Sequence, residues 1–310
     1  MDIKVVSSGL QTTVQDMGRN GWRHMGVPTS GAADKYSHQL ANFILNKKSN
    51  SPTLECTLTG PILKFLKPLS IVVTGADMKP KINEIKLKMN TLYTVKANDI
   101  LSMGNCSTGC RSYVAFSEDI ISDSFLGSRS TYLPAKFGGL AGLPLQLESF
   151  LRTKPCDYNI QASKNIEIGA ISNFSNEWEL RVIEGPEFDF VSPDSKKDIY
   201  RSSFIISNNS SRMGCKLEGR RIELLNDEHM ISAPVNIGTI QCSRNGIPII
   251  LGCDAQTLGG YPRILQIAEI DFPFIGQLRP YDKVSFTKSS IQEAQKELKS
   301  ALKLLKREIL

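Results

Sequence analysis

At 310 residues the chain is long enough for about two domains of ordinary size, each able to bury its own core. Its 41% hydrophobic and 22% charged residues, with a mean hydropathy of -0.16, describe a folded, water-facing protein and exclude disorder as the main state. The longest apolar runs, such as Ile247–Leu251 and Ile71–Val73, fall far short of the roughly 18 residues a membrane span needs, and a net charge of +6 spread along the chain is no footprint for nucleic acid.

The start, Met1-Asp-Ile-Lys-Val-Val, lacks a basic stretch followed by an apolar core, so no signal peptide is expected and the protein is read as cytoplasmic. Seven cysteines without a C-x-x-C pair fit a reducing compartment and give neither a disulfide framework nor a cysteine metal site. With His24, His38 and His229 as the three histidines there is no H-E-x-x-H zinc motif and little material for a histidine-centred triad; no metal is expected.

In chain order, a helix is predicted over about Gly31–Asn46, where Ala33, Tyr36, Leu40, Phe43 and Ile44 recur at three- and four-residue steps. Strands are predicted at Leu54–Leu58, Ser70–Thr74, Thr91–Val95, Tyr113–Phe116, Leu180–Ile183, Ile222–Leu225, Pro248–Leu251 and Lys283–Phe286, short runs mostly rich in β-branched and aromatic residues between turn formers. A second helix is predicted over Ile291–Ile309, with Ser290 as N-cap, Glu293 closing a capping box and Ile291, Ala294, Leu298, Leu302, Leu305 and Ile309 on one face, packed over a barrel end. The fold class is mainly β with a few helices.

Ile71-Val-Val-Thr-Gly-Ala-Asp77 echoes Ile249-Ile-Leu-Gly-Cys-Asp254, each an apolar strand entering a Gly-x-Asp turn and each preceded by a glycine, Gly60 and Gly238. The echo reads as a duplicated β unit, or as two similar strand-turn patterns without common origin. The polar stretch from Lys154 to Asn176 is the natural boundary, giving domains at 1–160 and 175–310, the second carrying the terminal helix.

Two segments concentrate chemistry. Gly9 to Gly21 packs Gln15, Asp16 and Arg19 between glycines, a polar set able to bind a carboxylate or amide unless Asp16 and Arg19 merely pair across a turn. It is no phosphate loop, lacking G-x-G-x-x-G and G-x-x-x-x-G-K-[ST]. Downstream, Gly238-Thr-Ile-Gln241 and Asp254-Ala-Gln-Thr-Leu-Gly-Gly-Tyr-Pro262 place an acid, two amides and a hydroxyl beside a Gly-Gly-Tyr-Pro turn. Asp254 can accept a proton or hold a ligand nitrogen, Gln256 and Thr257 offer donors, and Gly259 and Gly260 let a ligand reach the main chain; the alternative is a loop whose side chains satisfy their own backbone. Arg212, in Ser210-Ser-Arg-Met-Gly214, is placed to clamp an anion.

Taken together, Leu10-Gln-Thr-Thr-Val-Gln-Asp-Met-Gly-Arg19, Ser30-Gly-Ala-Ala-Asp34, Leu54-Glu55, Thr59-Gly-Pro61, Gly127-Ser-Arg-Ser-Thr131, Ser211-Arg-Met-Gly214, Gly238-Thr-Ile-Gln241, Asp254-Ala-Gln-Thr-Leu-Gly-Gly-Tyr-Pro262 and Gln277-Leu-Arg-Pro280 resemble the biotin-dependent carboxyltransferase family. That family includes the C subunit of 5-oxoprolinase, allophanate hydrolase subunit 2 and KipA. The sequence departs from the family pattern at Ser117-Glu-Asp-Ile120, around Leu143–Ser149 and at Pro280-Tyr-Asp282, so the first half has drifted more than the second.

The resemblance implies two cyclophilin-like β-barrel domains and a component of an enzyme that acts on a small amide or cyclic amide. The substrate it implies is 5-oxoproline, whose lactam is cleaved to glutamate in a hetero-complex with a B subunit and an ATP-using A subunit. An alternative is carboxyl transfer to a urea-like amide from biotin carried on another chain; this chain has no Met-Lys-Met acceptor and binds no cofactor of its own. Another is a KipA-type regulatory protein that sequesters a kinase inhibitor. In the enzymatic reading, Asp254, Gln241 and Gln256 are the catalytic candidates, Asp254 orienting or deprotonating the amide nitrogen. Arg212, Arg19, Asp16, Thr257, Gly259, Gly260 and Tyr261 would bind substrate.

Overall fold

A computed structural model of the chain describes residues 1–156, 174–225 and 230–309, with the backbone alone for residues 302 and 304–309. His229, residues 157–173 of the expected boundary and the Leu302, Leu305 and Ile309 side chains lie outside the described residues. The chain divides into two compact units, Met1–Asn20 with Ser30–Phe174, and Gly21–Thr29 with Ser175–Leu310. The nine residues from Gly21 to Thr29 thus belong with the C-terminal unit although the chain enters and leaves them from the first.

The first unit encloses its core between two sheets. One runs Phe150–Leu151, Ile3–Ser7, Ile62–Phe65, Ile100–Ser102, Lys81–Ile82, Ile85–Lys86; the other runs Gln11–Gln15, Thr53–Thr57, Arg111–Phe116, Leu69–Gly75, Leu92–Val95. Inward residues of both, among them Ile3, Val5, Leu63 and Phe65 from the first and Leu54, Ile71, Val73, Val114 and Phe116 from the second, form one cluster. The helix Lys35–Ile44 covers the outer face of the second sheet, setting Leu40, Ala41 and Ile44 on Val72 and Ala115. Arg111–Phe116 is therefore buried at every position, and its sequence loses the alternation a half-exposed strand would show.

The second unit is a closed barrel in the order Glu177–Glu184, Arg263–Ile267, Thr239–Cys242, Pro248–Leu251, Gly214–Glu218, Phe204–Ile206, Lys283–Lys288. It closes where Lys283–Lys288 pairs in parallel with Glu177–Glu184, Val284 opposite Trp178 and Phe286 opposite Leu180. The terminal helix occupies Ile291–Ile309, and its start is the expected capping box: Ser290 Oγ accepts from Glu293 N at 3.2 Å and Glu293 Oε2 accepts from Ser290 N at 2.9 Å. Glu297 on this helix meets Arg181 of the barrel at 2.6 Å.

Three expectations change. The first helix begins at Lys35 rather than near Gly31, because Asp34 caps it by accepting from Ser37 N at 3.0 Å. Ile222–Leu225 forms no strand; its one pairing is an isolated bridge from Leu224 to Val191. The echoed segments are not equivalent either. Thr239–Cys242 pairs directly with Pro248–Leu251, whereas Ile62–Phe65 and Leu69–Gly75 lie in different sheets, and Asp77 is exposed where Asp254 is buried. A common strand-into-turn solution explains the likeness without equivalent positions.

His38 makes the fold sensitive to acid. His38 is fully buried on the helix, its Nδ1 2.8 Å from Thr53 Oγ1 and its Nε2 3.0 Å from the Ser49 carbonyl; burial lowers its pKa from 6.5 to about 4. The native ring stays neutral while the unfolded chain takes up a proton below 6.5, so its contribution is complete above pH 6.5 and is lost as pH falls toward 4. That difference amounts to about 3 kcal/mol. Thermal melting between pH 7 and 4 should therefore fall more steeply in the native protein than in His38→Gln; parallel curves would remove His38 as the cause.

Candidate functional site

In the second unit, the turn after Pro248–Leu251 carries Asp254 back over the start of Gly214–Glu218. Main-chain bonds from Gly252 N to Met213 O and from Asp254 N to Arg212 O, both 3.0 Å, lay the two segments together. This places the Arg212 guanidinium on the carboxylate: Nε donates to Oδ2 at 2.7 Å and Nη2 to Oδ1 at 3.1 Å. Both side chains are more than nine-tenths buried. The arginine expected to clamp a substrate anion instead holds Asp254, in the two-pronged geometry that matches guanidinium to carboxylate.

The two amides also meet. Gln256 Nε2 donates to Gln241 Oε1 at 3.3 Å, and Gln241 Nε2 donates to the Tyr261 carbonyl at 2.9 Å, a chain that spans the Gly-Gly-Tyr turn. Gln241 is buried, while Gln256, Gly260 and Tyr261 reach the surface. A Cβ at Gly259 would stand 2.6 Å from Gln241 Nε2 and 2.9 Å from its Oε1, so any side chain there would displace the Gln241 amide. Thr257 accepts from Val235 N at 3.1 Å through its carbonyl, and Ala233–Pro234 pairs with Leu258–Gly259 beyond it. The structure thus brings Arg212 to Asp254, and Gln241, Gln256, Gly259 and Tyr261 to one another.

Asp16 and Arg19 belong to the first unit and do not pair across their turn. The Asp16 carboxylate accepts from Ser128 Oγ at 2.6 Å, Ser130 Oγ at 2.5 Å, Arg129 N at 2.6 Å and Gly18 N at 2.8 Å. Burial works to raise its pKa, but these donors prevail and hold the carboxyl below its ordinary range. Arg19, 1% exposed, donates to the Ser130 carbonyl and lies 4.7 Å over the Phe137 ring. Gly138 has a φ of +70° and a Cβ on it would come within 2.2 Å of that same carbonyl, so a side chain there would drive into the Arg19 seat.

A further buried cluster does not stand out from its residues taken singly. Glu55 Oε2 accepts from Tyr113 Oη and from Ala33 N, both at 2.8 Å; Tyr113 Oη accepts from Asp34 N at 2.8 Å, and Arg111 Nε stands 3.4 Å from Glu55 Oε1. Burial, then the Glu55 charge, push the Tyr113 hydroxyl well above its usual pKa, so it stays protonated and donates. The cluster fixes the entry to the helix. Its sequence signals were Ser30-Gly-Ala-Ala-Asp34 and Leu54-Glu55, and those around Asp16 were in Gly127-Ser-Arg-Ser-Thr131.

This geometry bears directly on stability. Asp254→Asn removes the carboxylate charge facing the buried Arg212 and should cost roughly 3–5 kcal/mol, whereas Asp77→Asn in its exposed turn should change stability by less than about 0.5 kcal/mol. Denaturant melts that show equal, small effects would mean that the Arg212 pair carries no stability. Gly259→Ala should cost about 1 kcal/mol by displacing the Gln241 amide from its hydrogen bonds. Adding Gln241→Ala should then cost less than it does in the native background; strict additivity in that double-mutant cycle would refute the contact.

The profile of the family described as "Carboxyltransferase domain, subdomain A and B" matches residues 25–288. The chain is 32% identical over 296 residues to the C subunit of 5-oxoprolinase from Haemophilus influenzae, spanning 96% of this chain and 93% of that one. With the C subunit of the Escherichia coli 5-oxoprolinase it shares 31% identity over 297 residues, at 95% and 93% coverage. The crystal structure of the Kluyveromyces lactis urea carboxylase superposes with a TM-score of 0.90 at 30% identity, covering 97% of this chain and 28% of the larger one. By profile, sequence and fold alike, the chain belongs to the carboxyltransferase-domain family.

Proposed function

We propose that the chain is the C subunit of an ATP-dependent 5-oxoprolinase complex, which with the A and B subunits opens the lactam of 5-oxoproline to glutamate. The observation that carries this reading is the two-sided match to relatives of that name, through 96% of this chain and 93% of the Haemophilus influenzae protein. ATP chemistry is the task of another member of the complex, and this chain contributes a shaped surface for the cyclic amide.

On that surface the buried Arg212–Asp254 pair is a positioning element. It fixes the turn from which Gln256 and the Gly259–Gly260 main chain face a ligand, and the negative charge of Asp254 orients the lactam N–H. Gln241, held by Gln256 and by the Tyr261 carbonyl, keeps that turn from collapsing. Ring opening develops negative charge on the carbonyl oxygen, and preoriented donors count most at that oxygen. Thr257 and Tyr261 flank this turn as substrate contacts, while Arg19 and Asp16, both buried and turned onto residues 128–130, brace the first unit.

A second reading is favoured by the 0.90 TM-score to urea carboxylase: transfer of a carboxyl group to a urea-like amide from biotin borne by another chain. Reconstitution separates the two. Together with the A and B subunits, the chain should support ATP-dependent release of glutamate from 5-oxoproline, and the lone chain or the mixture without it should not. Urea-dependent transfer of the carboxyl group from a carboxybiotinylated partner, giving free biotin and N-carboxylated urea with no glutamate formed, would overturn the first reading in favour of the second.

A further inference from the structure

The first unit contains a polar cavity of about 440 Å³ that the proposed lactam chemistry does not use. Its wall includes Asp16, Lys48, Asp119, Arg129 and Lys154, with Pro52 and Pro155 as apolar ground. Ser128 and Ser130 both turn onto Asp16, which leaves Arg129 between them to line the cavity. Lys154 stands directly opposite Asp119 across the short ladder Asp119–Ile120 and Thr153–Lys154, so both side chains are delivered to one face.

The two acids on this wall are already committed. Asp16 is satisfied by four donors, and Asp119 is ion-paired with Lys47, whose side chain is wholly buried, at 3.0 Å, with Arg129 farther off at 3.9 Å. Lys47 and Asp119 neutralise each other, and Lys47 is further held by the Phe116 and Glu118 carbonyls at 2.9 and 3.1 Å. The cations of the wall therefore outweigh its acids. A dianion with oxygens on every side would set charge against Asp16 and Asp119. A planar monoanion can give its two oxygens to Arg129 and Lys154 and rest its apolar body on the prolines.

From this we infer that the cavity is a binding site for a small carboxylate, with Arg129 and Lys154 as its cationic partners. The site lies wholly within the first unit and does not depend on which reaction the chain serves. The test is a titration of the full chain with potassium acetate, ionic strength held constant with chloride, following the Arg129 Nε–Hε resonance, which Arg129→Gln identifies by its absence. A saturable shift is expected, weakened roughly tenfold by Lys154→Gln, since a charge-assisted hydrogen bond is worth about 1.5 kcal/mol or more. Lys283→Gln, on the other unit, should leave it unchanged. The proposal fails if acetate gives no saturable shift, if Lys154→Gln leaves the affinity unaltered, or if inorganic phosphate binds more tightly than acetate.

Discussion

A carboxylate taken out of water must be matched by donors nearly atom for atom, and the loops of this protein are arranged around that requirement. Asp16, Glu55 and Asp254 are all buried, and each is answered by different chemistry: hydroxyls and amides for Asp16, a phenol and an amide with an arginine nearby for Glu55, one bidentate guanidinium for Asp254. Each also joins distant parts of the chain. Asp16 gathers residues 128–130, Glu55 ties Tyr113 to the loop before the first helix, and Asp254 fastens the turn at Arg212. Leaving any of these charges unmatched would be costly, so each loop is tied to the carboxylate its donors serve.

The fold was legible where one local rule dominates. Ile291–Ile309 is announced by a capping box and a helical apolar period, and Pro248–Leu251 by a short β-branched run between a Gly and a Gly turn. It was hidden where tertiary burial overrides composition. Gln11–Gln15 reads as polar, yet four of its five residues are buried in a sheet, and Thr12 Oγ1 finds the Ser8 carbonyl at 2.7 Å. Ile222–Leu225 has the opposite character: its composition suits a strand, but it is left with one bridge instead of a ladder.

The candidate site was legible as a set of residue types and not as a wiring diagram. Asp254, Gln241, Gln256 and Gly259 stand out because acids, amides and glycines seldom crowd one loop without a reason. That Arg212 would be spent on Asp254, 42 residues away, depends on which strands are neighbours, and no spacing in the sequence encodes that. Likewise Asp16 and Arg19 sit three residues apart and look like partners, but both turn toward residues more than a hundred positions downstream.

This wiring changes what Asp254 can contribute to chemistry. A carboxylate gripped by two guanidinium N–H groups has both oxygens engaged and is buried away from any surface ligand. The same grip suits a fixed negative charge, since it does not have to reorganise as charge moves in the substrate. Arg212 and Asp254 together are then a rigid dipole at the base of the loop, with Gln256, Gly260 and Tyr261 exposed at its rim.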